Sequence, residues 1–162
     1  MSDSETLDPV DRHAAALAAL EGARAARTDP VAAEAAVAAA LALAPDSWEV
    51  RTGAYKFYFY DHRLAEAVPH AAFCIAAAAR ALGLDEDWRR IAPRSAAFDG
   101  FDAEPRRLLH ALVAWGYCRI RTGDFEGGAA ALAKVAELDP ADRLGAARLI
   151  AVVERGGRED PD

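Results

Sequence analysis

The sequence predicts an all-α protein, and three features carry that reading. Alanine, the strongest helix former, makes up roughly a quarter of the 162 residues. Apolar residues recur at three- and four-residue spacing over most of the chain. Asp-Pro and Gly-Asp pairs punctuate that pattern where helices are expected to stop and start.

Residues 1–7 carry no periodicity and are expected to form a disordered tail. Asp8-Pro9 then reads as a helix cap followed by proline at the first helical position, where a missing N–H costs nothing. The first helix is expected to reach about Arg27, with Ala14, Leu17 and Leu20 on one face. Asp29-Pro30 repeats the start signal, and a second helix runs to about Leu43, before Pro45. The short turn between them forces the pair antiparallel. Asp46 or Ser47 caps a third helix through Trp48, Tyr55, Tyr58 and Phe59, which Asp61-His62 breaks. Its return helix runs from about Leu64 to Leu82 and ends at Gly83. Pro69 falls inside that helix, but Leu64, Ala67, Val68, Ala71, Ile75 and Ala78 hold a helical stripe around it.

Residues 84–104 break the rhythm. A short helix over Leu84–Ile91 with Asp85 as cap is expected, then a loop pinned by Phe98 and Phe101. From Pro105 the pattern sharpens again. Leu108, Leu112, Trp115 and Ile120 mark one helix, Gly123-Asp124 the turn, and Phe125 to Leu138 the return. Asp139-Pro140 is read as the start of a final helix over 140–155, through Leu144, Leu149, Ile150 and Val153, which Gly156-Gly157 ends. The expected organisation is a single domain over 8–156 with hairpins at about 8–45, 46–83 and 105–139, a cap helix, and a polar tail at 157–162.

A net charge of −7 argues against a nucleic-acid footprint, which would be basic. Met1-Ser2-Asp3-Ser4-Glu5 is acidic and polar, unlike a secretory leader, and no apolar run approaches the ~18 residues needed to span a bilayer. The location expected on these grounds is cytoplasmic.

The stretch Leu112-x-x-Trp115-Gly116, Gly123-Asp124-Phe125, Gly128, Leu132, Val135 and Glu137-Leu138-Asp139-Pro140 resembles one tetratricopeptide (TPR) unit. The resemblance implies that Gly116 and Gly128 let two helices approach while Leu112, Trp115, Leu132 and Val135 fill the gap. Arg119 departs from the pattern, which usually has an apolar or aromatic residue there. The earlier turns, Thr28-Asp29 and His62-Arg63, lie 34 positions apart, the TPR period. The third turn follows 61 positions after the second, one period plus the extra residues near 84–104. The fold class expected is therefore all-α: about three antiparallel hairpins stacked as a short TPR-like superhelix, with an insertion and a capping helix.

In that family, first helices line a concave groove that receives a protein or peptide segment. Carried onto this chain, the second hairpin presents Thr52, Lys56, Phe59 and Tyr60, and the third presents His110, Val113, Tyr117 and Arg121. The first adds only Ala15, Ala18 and Gly22. Such a groove suits an acidic or apolar segment of another protein, although the 55–60 cluster reads equally as core between neighbouring helices. The carboxylate-binding kind of TPR groove uses asparagine, and this chain has no Asn. Self-association as a homodimer is the alternative.

Other constellations are weaker. His70 with Cys74, and His110 with Cys118, offer four metal-ligating atoms. Their spacing matches no zinc finger or ribbon, and unpaired cysteines are usually core, so no metal and no cofactor is expected. Asp85-Glu86-Asp87 with Asp99, Asp102 and Glu104 reads as a solvated acidic loop rather than paired catalytic carboxylates. Without a phosphate loop, nucleophile elbow, HExxH or CxxC, a non-enzymatic binding scaffold is expected.

Overall fold

The computed structural model describes residues 7–156. Of the tails expected at 1–7 and 157–162, all but Leu7 lies outside the described residues. Among the described residues the only regular secondary structure is helical, with no strand. The helices are α1 (Pro9–Ala25), α2 (Pro30–Leu43), α3 (Trp48–Tyr60), α4 (Leu64–Ala81), α5 (Ala103–Arg121), α6 (Phe125–Leu138) and α7 (Ala146–Gly156). α1 with α2, α3 with α4, and α5 with α6 form antiparallel hairpins, α4 packs along α5, and α7 covers α6.

Local chemistry sets the helix starts. The Asp8 carboxylate accepts from the backbone N–H groups of Val10 and Asp11 at 2.9 Å, and Asp29 accepts from Ala32 at 3.2 Å. At the third start Ser47, not Asp46, accepts from Val50. Each satisfies a donor that the first helical turn leaves unpaired. α4 continues through Pro69. Its first turn is anchored by Arg63, whose guanidinium reaches Glu34 of α2 at 2.7 Å and Glu66 at 2.6 Å.

Burial repeats with the spacing of the turns. Ala33, Ala67 and Gly128 are all buried, each four residues after the cap of a second helix. Val37, Ala71 and Leu132 follow at the next turn, then Ala40, Cys74 and Val135. The arrangement is compatible with a helical repeat. The turns obey it too: His62 and Gly123, at matching places in hairpins two and three, have φ of 59° and 110°. That left-handed region suits glycine and strains histidine.

The third hairpin brings two helices close at paired glycines. A Cβ added to Gly116 would sit 2.9 Å from the Gly128 carbonyl oxygen, and one on Gly128 would stand 2.6 Å from Ile120 Cγ1. α5 and α6 therefore meet backbone to backbone, and Leu112, Leu132 and Val135 fill the space beside the contact. Trp115, expected as core, is half-buried. It seals the join between two apolar clusters, edge-on to Trp88 at 5.9 Å. Arg119 follows no apolar pattern because it serves the turn, donating to the Asp124 carboxylate at 2.9 Å.

Three expectations are corrected. Residues 84–91 form no α-helix: a 3₁₀ turn covers Trp88–Arg90, capped by Asp87, while Asp85 accepts from the Asp87 N–H. The insertion is nonetheless packed, with Trp88, Ile91 and Phe98 buried against α5 and α6, and Lys134 donating to the Ile91 carbonyl at 2.8 Å. Phe101 does not anchor it: the residue is 84% exposed, and Phe98 alone of the two phenylalanines joins the core cluster. The last helix starts at Ala146, not at 140. The buried Asp139 turns inward to accept from the Leu144 N–H at 2.9 Å, and Asp142 and Gly145 adopt left-handed φ, so residues 139–145 fold as consecutive turns.

The glycine contact makes a prediction. Gly128→Ala should destabilise by about 1–3 kcal/mol through overpacking, read as a lower Tm by circular dichroism. Gly22→Ala, in the same α1–α6 array but with nothing within 4 Å of the added Cβ, should leave the Tm unchanged or raise it.

Candidate functional site

Between α3 and α5 runs an open groove of about 810 Å³. The period-3.6 face of α3 supplies Thr52, Tyr55, Lys56, Phe59 and Tyr60 to one wall, and α5 supplies His110, Val113, Ala114 and Tyr117 to the other. α4 contributes Cys74, Ala77, Ala78 and Ala81. These small side chains keep the floor low. At one end the Arg107 guanidinium lies 3.6 Å over the Trp48 ring, so the starts of α3 and α5 are bridged. At the other, Phe59 and Tyr117 touch with ring centroids 5.6 Å apart. Arg143, Leu144 and Leu149 complete the lining.

Seven of the eight residues that the sequence placed on the groove from hairpins two and three meet there: Thr52, Lys56, Phe59, Tyr60, His110, Val113 and Tyr117. Arg121 does not. It points out along α5 and donates to the Tyr117 hydroxyl at 2.9 Å, so it braces a groove residue from outside. Hairpin one is also corrected. Its contribution comes from Leu20, Ala23, Arg24 and Arg27, not Ala15, Ala18 or Gly22, because α1 is rotated to bury Ala16 and Ala23. These residues line a second groove of about 520 Å³ between α1 and α3, which shares Lys56 and Tyr60 with the first.

The aromatic cluster of α3 is both core and groove. Tyr58 and Tyr55 are buried, while Tyr60 is 77% exposed. Desolvation pushes the Tyr55 hydroxyl up to about 12, with Cys74 and Tyr60 adding to the effect. Cys74 lies against Thr52 Oγ1 at 3.4 Å. Burial raises its thiol pKa, and the Thr52 hydrogen bond and the Arg51 and Lys56 charges oppose that shift. Cys118 is fully buried beside Tyr55 and Tyr58, its thiol pushed up to about 11 by desolvation. His70 stacks on Tyr58 and receives Arg51 Nη1 at 3.2 Å, whereas His110 opens onto the groove. The four candidate metal ligands are thus dispersed, and no group of three or more such side chains converges among the described residues.

Lys56 makes no hydrogen bond or ion pair among the described residues, and its charge faces the groove. His110 has a lowered pKa: surrounding side chains desolvate the ring, and Arg106 and Lys56 disfavour a second positive charge. Groove residues that sequence reasoning missed include Arg107 and Arg143. Arg107 shares a helical face with His110 and Tyr117, so its spacing carried a signal. Arg143 carried none, since it sits in a turn that was read as helix.

An all-α array of antiparallel hairpins with an open, aromatic-walled groove is the class of protein that fold and site define. The chain belongs to the family of the uncharacterised 19.8 kDa protein in the nifW 5′ region of Azotobacter chroococcum mcd 1. The two are 38% identical over 125 residues, spanning 74% of this chain and 68% of that relative. No family profile and no solved structure matches the chain. Among the described residues, no helix is long and apolar enough to cross a membrane.

The histidines give a pH prediction. His70 and His110 both have pKa values held below the ordinary ~6.5, first by desolvation and then by neighbouring cations. The unfolded chain therefore binds protons that the native one resists. The native state has its full stability above about pH 6.5 and loses it as pH falls through that value towards the depressed native pKa values. The Tm should drop between about pH 7 and 5, and less so in a His70→Phe, His110→Gln variant. Asp124, Asp142 and Glu34, whose pKa values are also lowered, act in a separate window below about pH 4. An equal drop between pH 7 and 5 in wild type and variant would remove the histidine assignment.

Proposed function

We propose that the chain is a TPR-like scaffold that binds a segment of another protein in the α3/α5 groove, without catalysing a reaction. The observation that carries this reading is the state of the groove walls. Tyr60 is 77% exposed and Lys56 has no partner among the described residues, while Phe59 and Tyr117 hold each other in a fixed apolar surface. Large aromatic rings at such a surface supply contact area at low entropic cost, and are the residue types that anchor protein partners. The groove is open along its length, which suits a chain segment better than an enclosed small molecule. Its small-residue floor and the Arg107–Trp48 bridge keep it formed without a ligand, so little ordering cost remains for the partner to offset.

The test is affinity capture from native lysate with wild type and a Lys56→Glu, Tyr117→Ala variant. Because the Azotobacter relative is described by its position 5′ of nifW, the nifW gene product is one defined partner to include. The expected result is a protein retained by wild type and lost by the variant, whose circular-dichroism spectrum is unchanged. Equal retention by both, or retention by neither, would overturn the groove as the binding site.

A further inference from the structure

The grooves on either side of α3 are not independent, since Lys56 and Tyr60 line both. Their charge runs against that of the molecule. The whole chain has 26 acidic side chains against 19 lysines and arginines. The two grooves together are lined by Arg24, Arg27, Lys56, Arg107 and Arg143, but by only two acids, Asp61 and Glu104. Those two acids are already matched. Glu104 lies 3.4 Å from Arg107, and Asp61 lies 3.9 Å from Arg63. Of the cations, Lys56 and Arg27 make no ion pair among the described residues, and Arg143 donates only to the Asp99 carbonyl oxygen, which leaves its charge unbalanced. Arg24 pairs with Glu21, but both side chains are more than two-thirds exposed, and such pairs exchange partners at little cost. A basic, concave strip across an acidic protein is therefore built into the fold, and it raises the local concentration of anionic segments.

We propose that the two grooves form one continuous site for an acidic segment of a partner protein, an assignment that rests on the segment-binding reading above. An apolar side chain of the partner sits on the Phe59–Tyr117 surface. Its carboxylates lie over Lys56 at the waist and reach Arg24 and Arg27 beyond it. Crossing from α5 over α3 to α1 takes at least two helix spacings of about 10 Å, which an extended chain covers in no fewer than about six residues. Carboxylate recognition here comes from arginine and lysine, whose charges act over the open groove, and guanidinium groups can grip a carboxylate through two parallel hydrogen bonds.

The experiment is selection of displayed random peptides of about twelve residues, twice the estimated footprint, on wild-type protein. It is followed by titration of a labelled synthetic copy of the enriched peptide against variants. Enriched sequences should combine Asp or Glu with Leu, Ile or Phe. The copy should bind about tenfold more weakly to Lys56→Glu and to the Arg24→Glu, Arg27→Glu variant, a loss typical of reversing a charge contact at an interface. Its binding should also fall as salt is raised. A peptide that is lost on Tyr117→Ala but binds the Arg24→Glu, Arg27→Glu variant as well as wild type would overturn the continuous site and leave the α3/α5 groove standing. Enrichment of neutral or basic sequences would overturn the acidic partner. Absence of any enrichment over an unrelated helical protein would overturn this proposal and the segment-binding reading together.

Discussion

The architecture depends on how α4 is shared. It packs against α3 as the second half of one hairpin and along α5 as the first neighbour of the next, so it holds two hairpins together despite the residues inserted between them. It does so with alanine. Ala67, Ala71, Ala78 and Ala79 are buried in these contacts, and Cys74 and Ala77 face the groove. Longer side chains on this helix would push α3 and α5 apart or fill the space between them. The groove is thus a consequence of side-chain volume on a helix that carries little recognition chemistry of its own.

The insertion makes that arrangement possible. Between α4 and α5 the chain has to travel without disturbing their contact, and it does so by burying Trp88, Ile91 and Phe98 in the core cluster that α4, α5 and α6 share. Two long-range bonds fix it there, from Lys134 to the Ile91 carbonyl and from Arg143 to the Asp99 carbonyl. The second bond also fixes Arg143 at the groove edge. A segment that looks like an interruption in sequence is therefore part of the third hairpin's core and of the groove's electrostatics.

Electrostatics and packing divide the work along α3. Tyr55 and Tyr58 face inward, where desolvation keeps the phenols neutral, while Lys56 and Tyr60 face the solvent between two grooves. Neighbouring positions of one helix thus serve core and surface because successive residues are turned by about 100°. The acidic residues of the chain are spent mostly elsewhere, on helix caps such as Asp8, Asp29 and Asp124 and on exposed pairs. That distribution leaves the concave side basic.

The sequence by itself determined the helices, their order and most of their ends. Helical periodicity and capping are local: Asp8, Ser47 and Asp124 bond to N–H groups within a few residues, and Gly83 and Gly123 take left-handed turns wherever the rest of the chain goes. The groove face of α3 and α5 was legible only through the TPR resemblance, which implied Thr52, Lys56 and Phe59 on one helix and His110 and Tyr117 on the other. Tertiary structure alone decided the rest. Asp139-Pro140 carries a sound local start signal, yet Asp139 turns inward to the Leu144 amide and the helix waits until Ala146. Of two phenylalanines three residues apart, Phe98 is buried in the cluster that holds Leu108 and Leu109, while Phe101 is exposed. Nor could spacing show that Arg24 of α1 and Arg27 of the turn after it line the groove beside α3, since an alanine-rich helix has no dominant apolar face to fix its rotation. That rotation is set by what α1 meets: Ala16 and Leu20 pack against Ala40 and Val50, residues distant in sequence.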